Sequence, residues 1–351
     1  MKKRVRIADR EIGDGCPPFV IAELSGNHNG DIKRALKIID EAKYAGADAI
    51  KLQTYTADTM TIDHDGEGFL VDVSLWKGKS LYDLYSEAST PWDWHEQLFA
   101  HAKKRDIIIF STPFDFESAR FLNDLGAPAF KIASAEIVDI PLIEFVASFR
   151  KPLIISTGMA TKDEISDAIN AARGAGCEDL IMLHCVSAYP APPEASHLLN
   201  IKALAEEFGV ISGLSDHSLG VSIAGAAVAL GADVIEKHFT LDRNDGGVDS
   251  GFSLEPKELR QLVETSREVE LAVGRAKFGP KEAEIPGLKY RRSLYVVKNV
   301  PLGHQLTADN IRSIRPGLGL PPKHLYAVLG TSASRDLFRG EPLNWDMILD
   351  F

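Results

Sequence analysis

Eight short apolar runs, each leading into an amphipathic stretch, succeed one another between residues 19 and 239. The runs fall at 19–24, 49–55, 107–112, 129–134, 153–157, 180–186, 210–214 and 234–239. The clearest intervening helices read at 31–45, 92–105, 161–175 and 221–230, and a closing helix starts at 256 and ends near 273. Local signals support those limits. Thr161 stands three residues before Glu164, the spacing of a capping box, and Gly46, Gly176 and Gly231 each follow a last turn. Parallel strands need crossovers of this length, and regular strand–helix alternation is the signature of an α/β body. Eight units in about 275 residues match a (β/α)8 TIM barrel. Periodicity does not show closure, so an open doubly wound sheet is the competing architecture. The first βα loop, Asn27-His-Asn-Gly, lacks the GxGxxG pattern of a dinucleotide site.

The pattern changes after Gly274. Residues 276–290 read as a linker, and residues 291–351 as a small second domain with short β-like runs at 293–297 and 310–313. About 60 residues are marginal for an independent core. The polar connection 56–91 reads as an excursion over the barrel mouth. The chain carries 39 basic and 50 acidic residues, a net charge of −11. Residues 291–351 are net +3 and the remainder net −14. This balance argues against nucleic-acid binding, which draws on clustered Lys and Arg. No apolar run is long enough for a membrane span, and the basic start is followed by no apolar core of a signal peptide. Three cysteines without a CxxC pair fit a reducing cytoplasm.

A barrel draws its active groups from the carboxyl ends of its strands. Polar residues recur at those ends: Glu23; Lys51, Gln53 and Tyr55; Ser111, Thr112 and Asp115; Lys131, Ser134 and Glu136; Ser156 and Thr157; His184, Ser187 and Tyr189; Ser215, Asp216, His217 and Ser218; Glu236 and His238. Any one has a plain structural reading, as a helix cap or a lysine reaching solvent. Jointly they are harder to dismiss, because an unpaired charge is costly to bury. Lys51 and Lys131 need anionic company from Glu23, Glu136 and Glu236 or from a ligand. Two lysines with Ser and Thr hydroxyls make a phosphate or carboxylate receptor.

His217 and His238 end successive strands, so a closed barrel makes them neighbours. Two imidazoles can share a divalent metal and leave positions open for catalysis; the alternative is one capping and one packing histidine. Cys185 alternates with His184 and reads as a small buried hydrophobe. Trp92 and Trp94 read as helix-start packing. Asp249, in the loop after the last strand, either bonds a polyhydroxylated substrate or caps the loop.

At these residues the sequence resembles the nonulosonic (sialic) acid synthases, which join phosphoenolpyruvate to an acetamido sugar. The resemblance rests on IAELSGNHNGD at 21–31, GADAIKLQTYTADTMT at 46–61, FSTPFD at 110–115, KIASAE at 131–136 and ISTGMA at 155–160. It continues through HCVSAYPAPPE at 184–194, GLSDHS at 213–218, EKHFTLDR at 236–243 and IRPGLG at 314–319. Within the family it is most similar to the pseudaminic acid synthases. Ser187 stands where neuraminate synthases commonly have Asn, and Gly26 and Gly251 stand where alanine is common in the pseudaminate group.

The resemblance implies a (β/α)8 barrel over residues 1–275 and an antifreeze-like SAF domain over 291–351. It implies that Lys51, Thr112, Lys131, Ser134, Ser156 and Ser215 bind phosphoenolpyruvate, and that Glu23 and Glu136 manage protons and water. His217 and His238 would ligate a divalent cation, Mn2+ foremost, with Mg2+ or Co2+ as alternatives. Gln53, Ser187, Tyr189 and Asp249 would place the sugar. Arg315 would reach the partner's barrel in a homodimer. The implied reaction condenses phosphoenolpyruvate with a 2,4-diacetamido-2,4,6-trideoxy hexose of L-altrose type, giving pseudaminic acid and phosphate. Neuraminate, legionaminate and spore-coat nonulosonate synthases are the near alternatives. A metal-dependent barrel aldolase and a non-catalytic carbohydrate-binding protein are the remote ones.

Overall fold

The computed structural model describes residues 4–72 and 75–349; the outermost limits set from sequence, 1 and 351, lie outside them. The described chain separates into two compact units at Gly274/Arg275. The first opens with an antiparallel hairpin, β1 (Arg4–Ile7) and β2 (Arg10–Gly13), which the charged start of the sequence conceals. Eight parallel strands follow: β3 (Phe19–Glu23), β4 (Ala49–Thr54), β5 (Ile108–Pro113), β6 (Phe130–Ile132), β7 (Leu153–Ser156), β8 (Leu180–Cys185), β9 (Ile211–Asp216) and β10 (Val234–His238). Pairing of β10 with both β9 and β3 closes the barrel, which excludes the open sheet.

Side chains alternate across each strand, and this sorts the barrel into layers. Phe19, Ile21, Ala49, Phe110, Ile154, Ile181, Ile211 and Val234 fill the amino-terminal part of the interior. Val5, Ile7 and Ile12 of the hairpin join that cluster, each at most 1% exposed. The other parity, including Val20, Ala22, Ile50, Leu52 and Ile235, faces the helices. Polar groups of the inner parity are thereby confined to the carboxyl end.

Capping sets the helices. Asp31 accepts the Lys33 N–H at 2.8 Å to start Ile32–Ala45, and Gly46 ends it at φ 91°. Thr161 and Glu164 form the expected capping box of Lys162–Gly174. Helices Leu81–Ala88, Phe116–Asp124, Ile140–Ala147 and Leu199–Phe208 add to those read from sequence. Among the described residues no helix is long and apolar enough to cross a membrane.

In the second unit a 3-10 stretch, Glu282–Tyr290, occupies much of the segment read as a linker. β11 (Ser293–Val296) pairs antiparallel with β12 (Ile311–Ile314). Leu294, Val296, Leu306, Val328, Leu337 and Leu343 form a core of its own.

Candidate active site

Register brings the strand-end residues together. Parallel pairing sets Glu23 beside Lys51 and His238, Gln53 beside Thr112, and Ser215 beside both Cys185 and Glu236. A cavity of about 380 Å3 at the carboxyl end is lined by Lys51, Gln53, Lys131, Ser134, Glu136, Ser156, Ser187, Tyr189, Ser215, His217, Glu236 and His238. The sequence-derived residues Glu23 and Thr112 reach it through Lys51, whose Nζ lies 2.7 Å from Glu23 Oε2 and donates to Thr112 Oγ1 at 3.1 Å.

Glu236 is the hub of the floor. Its Oε1 accepts from Lys131 Nζ at 3.2 Å and from Ser215 Oγ at 3.0 Å, with Lys51 Nζ at 3.9 Å. Burial alone would push its carboxyl up, but Lys131 and Lys51 outweigh that and hold it below the ordinary value. Burial raises Glu23 to about 7 against the pull of Lys51, and raises Glu136 to about 7. Both can therefore exchange a proton near neutrality. The Oε2 atoms of Glu136 and Glu236 and the hydroxyl of Ser156 are buried without a protein partner. Such atoms in a cavity are places for substrate oxygens or water.

Ser134 Oγ accepts the Gly158 N–H at 3.1 Å. A Cβ on Gly158 would stand 2.3 Å from Ser187 Oγ and 2.7 Å from Ser134 Oγ, so the close approach of three loops requires glycine there.

The rings of His217 and His238 lie 5.3 Å apart, centroid to centroid. His217 Nδ1–H donates to the Val186 carbonyl at 3.0 Å, so Nε2 is the nitrogen that could ligate. Burial and the neighbouring His217 hold His238 well below its ordinary value, hence neutral, and its Nδ1 is buried without a partner. Asp249 Oδ2 stands 3.6 Å from that nitrogen and accepts from Ser25 Oγ. Among the described residues no group of three or more His, Cys, Asp and Glu is arranged around a cation position. Burial lowers His217, but Cys185, the Val186 carbonyl and Glu236 outweigh it and raise the imidazole above its ordinary value. Two adjacent imidazoles, one with an orphaned nitrogen, fit a two-ligand seat once His217 gives up its proton to a cation.

Behind the imidazoles lies a clamp. Lys237 Nζ, fully shielded, donates to Asp216 Oδ2 and to the Ser218 carbonyl, both at 2.6 Å, while Asp216 Oδ1 accepts the Ser218 N–H at 2.8 Å. The His217 carbonyl accepts the Ala191 N–H at 3.0 Å. The main chain on both sides of His217 is thus held.

Several expectations change. His184 faces the helices and donates to the Ser196 carbonyl at 2.7 Å; Cys185 is the residue on the inner parity, 3.8 Å from His217 Nδ1. Counting by twos from Ser187 would have found it. Asp115 caps Phe116–Asp124, and Ser111 bonds Thr54 on the outer face. Trp92 stacks 4.9 Å from Phe121, as helix-start packing requires. Gly26 sits against Ala88, whose Cα would be 3.2 Å from an added Cβ. Arg315 is exposed, directly after β12 in the second unit.

A closed parallel barrel with paired lysines, two buried glutamates raised by desolvation and twin imidazoles at its carboxyl mouth defines a (β/α)8 enzyme acting on an anionic substrate. The chain matches the NeuB family over residues 38–278 and the SAF domain over residues 291–349. It is 43% identical over 334 residues to pseudaminic acid synthase of Helicobacter pylori, covering 95% of this chain and 98% of the relative. It is equally 43% identical over 325 residues to pseudaminic acid synthase of Campylobacter jejuni, covering 93% and 95%. The crystal structure of N-acetylneuraminic acid synthetase from Leptospira borgpetersenii superposes with a TM-score of 0.74 at 35% identity, over 83% of this chain and 97% of that one. The chain belongs to the NeuB family of phosphoenolpyruvate-dependent nonulosonic acid synthases.

Proposed function

We propose that the enzyme condenses phosphoenolpyruvate with a 2,4-diacetamido-2,4,6-trideoxy hexose of L-altrose type to give pseudaminic acid and inorganic phosphate. The observation that carries this reading is the floor of the cavity, where Lys51, Lys131 and Ser215 converge on Glu236 within one cavity with the imidazole pair. Similarity to two pseudaminic acid synthases over nearly the whole chain supports the choice of sugar.

Lys51, Lys131, Thr112, Ser134, Ser156 and Ser215 receive the phosphate and carboxylate of phosphoenolpyruvate. His217 and His238 would hold a divalent cation, Mn2+ first and Mg2+ or Co2+ as alternatives, whose chemistry is to polarise the sugar aldehyde. Gln53, Ser187, Tyr189 and Asp249 place the open-chain sugar. Burial drives the Tyr189 phenol far above its ordinary value, so it acts as a neutral donor.

Carbon 3 of phosphoenolpyruvate forms a bond to the aldehyde carbon, and the aldehyde oxygen takes a proton. Positive character at carbon 2 is favoured by the carboxylates of Glu23 and Glu136, and water adds there, losing a proton. The carbon–oxygen bond to phosphate then breaks and leaves the 2-keto acid. The two glutamates jointly serve as the proton source and sink. Arg315 of one subunit would meet the acetamido sugar in the partner's barrel within a cytoplasmic homodimer.

Phosphate release is measured with phosphoenolpyruvate and a panel of acetamido sugars. The expected result is release dependent on both substrates and fastest with the L-altrose sugar. With phosphoenolpyruvate labelled at the bridging oxygen, the label leaves in phosphate. Absence of release with every sugar overturns the reading. Fastest release with another sugar moves the assignment to the legionaminate, neuraminate or spore-coat group.

A further inference from the structure

Tyr55 follows Lys51 and Gln53 on the inner parity and stands just beyond the end of β4. It lines the catalytic cavity and also a second space of about 610 Å3 beside it, so it marks the seam between the two. Only 3% of the residue is exposed. Its ring meets Phe114 edge to face at 5.0 Å and Tyr85 at 5.9 Å, centroid to centroid. The main chain is fixed as well. Trp92 Nε1 donates to the Tyr55 carbonyl at 3.4 Å, and the Oγ1 of the preceding Thr54 lies 2.7 Å from His95 Nε2 and 2.6 Å from Ser111 Oγ. Gln53 is already committed, since its Nε2 donates to Glu23 Oε1 at 3.0 Å. The Tyr55 hydroxyl, by contrast, has no hydrogen-bond partner among the described residues. A buried phenol ordinarily finds one. Burial, with Asp249 as the next cause, pushes the phenol far above its ordinary value, so it gives a hydrogen bond rather than ionising.

We propose that Tyr55 is a further sugar-binding residue, its phenol donating to a sugar hydroxyl whose own proton goes to the Asp249 carboxyl. The inference rests on the reading of this site as the sugar site. Asp249 lines the same 610 Å3 space, with its Oδ2 standing 3.6 Å from His238 Nδ1. A hydroxyl group is donor and acceptor at once. Seated between a phenol that gives and a carboxyl that takes, it has both roles satisfied, and so have they. The grip comes from a ring that packing has already immobilised, so it orients the sugar at little cost in entropy and keeps the aldehyde toward the imidazole pair. Tyr55 stands above Gln53 on the barrel wall and makes no contact with the lysines of the floor. Its effect therefore falls on the sugar and spares phosphoenolpyruvate.

The test compares Tyr55→Phe, Asp249→Asn and the double variant by phosphate release with phosphoenolpyruvate and the L-altrose sugar. Tyr55→Phe keeps the ring contacts and is expected to lower kcat/KM for the sugar about five- to fiftyfold, with KM for phosphoenolpyruvate unchanged. The double variant is expected to lose about threefold less than the product of the two single losses, because both substitutions break one grip. Should Asp249→Asn fail to fold, singly deoxygenated sugars replace it: the wild type should disfavour one of them, and Tyr55→Phe should not. Unchanged kcat/KM in Tyr55→Phe, or a loss shared equally by both substrates, overturns the proposal while wild-type turnover keeps the reaction. Losses that simply multiply, or no deoxy sugar that Tyr55→Phe ceases to distinguish, overturn the shared hydroxyl. Where the wild type releases no phosphate, calorimetry in the presence of phosphoenolpyruvate uses the corresponding alditol, which has no aldehyde to condense. Weaker alditol binding to Tyr55→Phe then keeps the contact and overturns the reaction, and equal binding overturns the contact.

Discussion

Lys237 and Asp216 form an ion pair of 2.6 Å on the outer face of β10 and β9, directly behind the two residues, His238 and His217, that face the cavity. A buried pair of this kind is weak evidence for stability, because desolvation offsets most of the attraction. Its position gives it another use, holding the turn that carries His217. Asp216→Asn/Lys237→Met keeps the bond to the Ser218 N–H and leaves no charge unpaired. It is expected to melt within a few degrees of the wild type, with Mn2+ affinity reduced about tenfold by electron paramagnetic resonance titration. Unchanged affinity would leave the pair a purely structural feature.

Lys131 supplies one charged donor to the floor, bonded to Glu236 at 3.2 Å. Lys131→Met removes a charge-assisted hydrogen bond of about 1.5–3 kcal/mol. The expected outcome is a KM for phosphoenolpyruvate raised about ten- to a hundredfold, with KM for the sugar little changed. A variant whose KM for phosphoenolpyruvate matches the wild type would contradict the receptor role.

Gly158 fits between Ser134 and Ser187 only without a side chain. Gly158→Ala forces two hydroxyls aside, one of them that of Ser134, proposed above to receive phosphoenolpyruvate. Loss of phosphoenolpyruvate binding by calorimetry is expected, on a barrel that still unfolds cooperatively. Normal binding would show that the loops have room to yield.

Burial lifts Glu136 from 4.5 to about 7. A folded value above the unfolded one means the folded state holds the proton more tightly. The stabilisation is complete below about pH 4.5 and is lost as pH rises through 7. Glu23, also lifted to about 7, acts with the same sign. Urea unfolding at pH 5 and pH 8 should therefore show a fall in stability over that interval. Glu136→Gln should flatten part of it, and an identical slope in the variant would argue that the carboxyl is well solvated.

The barrel was legible because its residues obey two simple periods. Lys51, Gln53, Glu236 and His238 fall on the inner parity of strands whose other parity is Ile50, Leu52 and Ile235. β8 is buried on both faces, so nothing in Leu180–Cys185 contrasts inside with outside, and the phase of His184 and Cys185 was read the wrong way round. Ile140–Ala147 is nearly all apolar and only eight residues long, which hides its helical period. The Asp216–Lys237 clamp depends on the register between β9 and β10, and strand spacing in sequence does not carry register. The bond from Trp76 to the Val248 carbonyl escaped for a similar reason, since it spans 172 residues.

The hairpin of β1 and β2 stoppers the amino-terminal end of the barrel with Val5, Ile7 and Ile12. The polar cavity lies at the other, carboxyl end. With phosphoenolpyruvate on the lysines and the sugar above it, as proposed, the plugged end offers the deeper reactant no way round. Initial-rate kinetics are expected to show phosphoenolpyruvate binding first; random order would place the two reactants side by side.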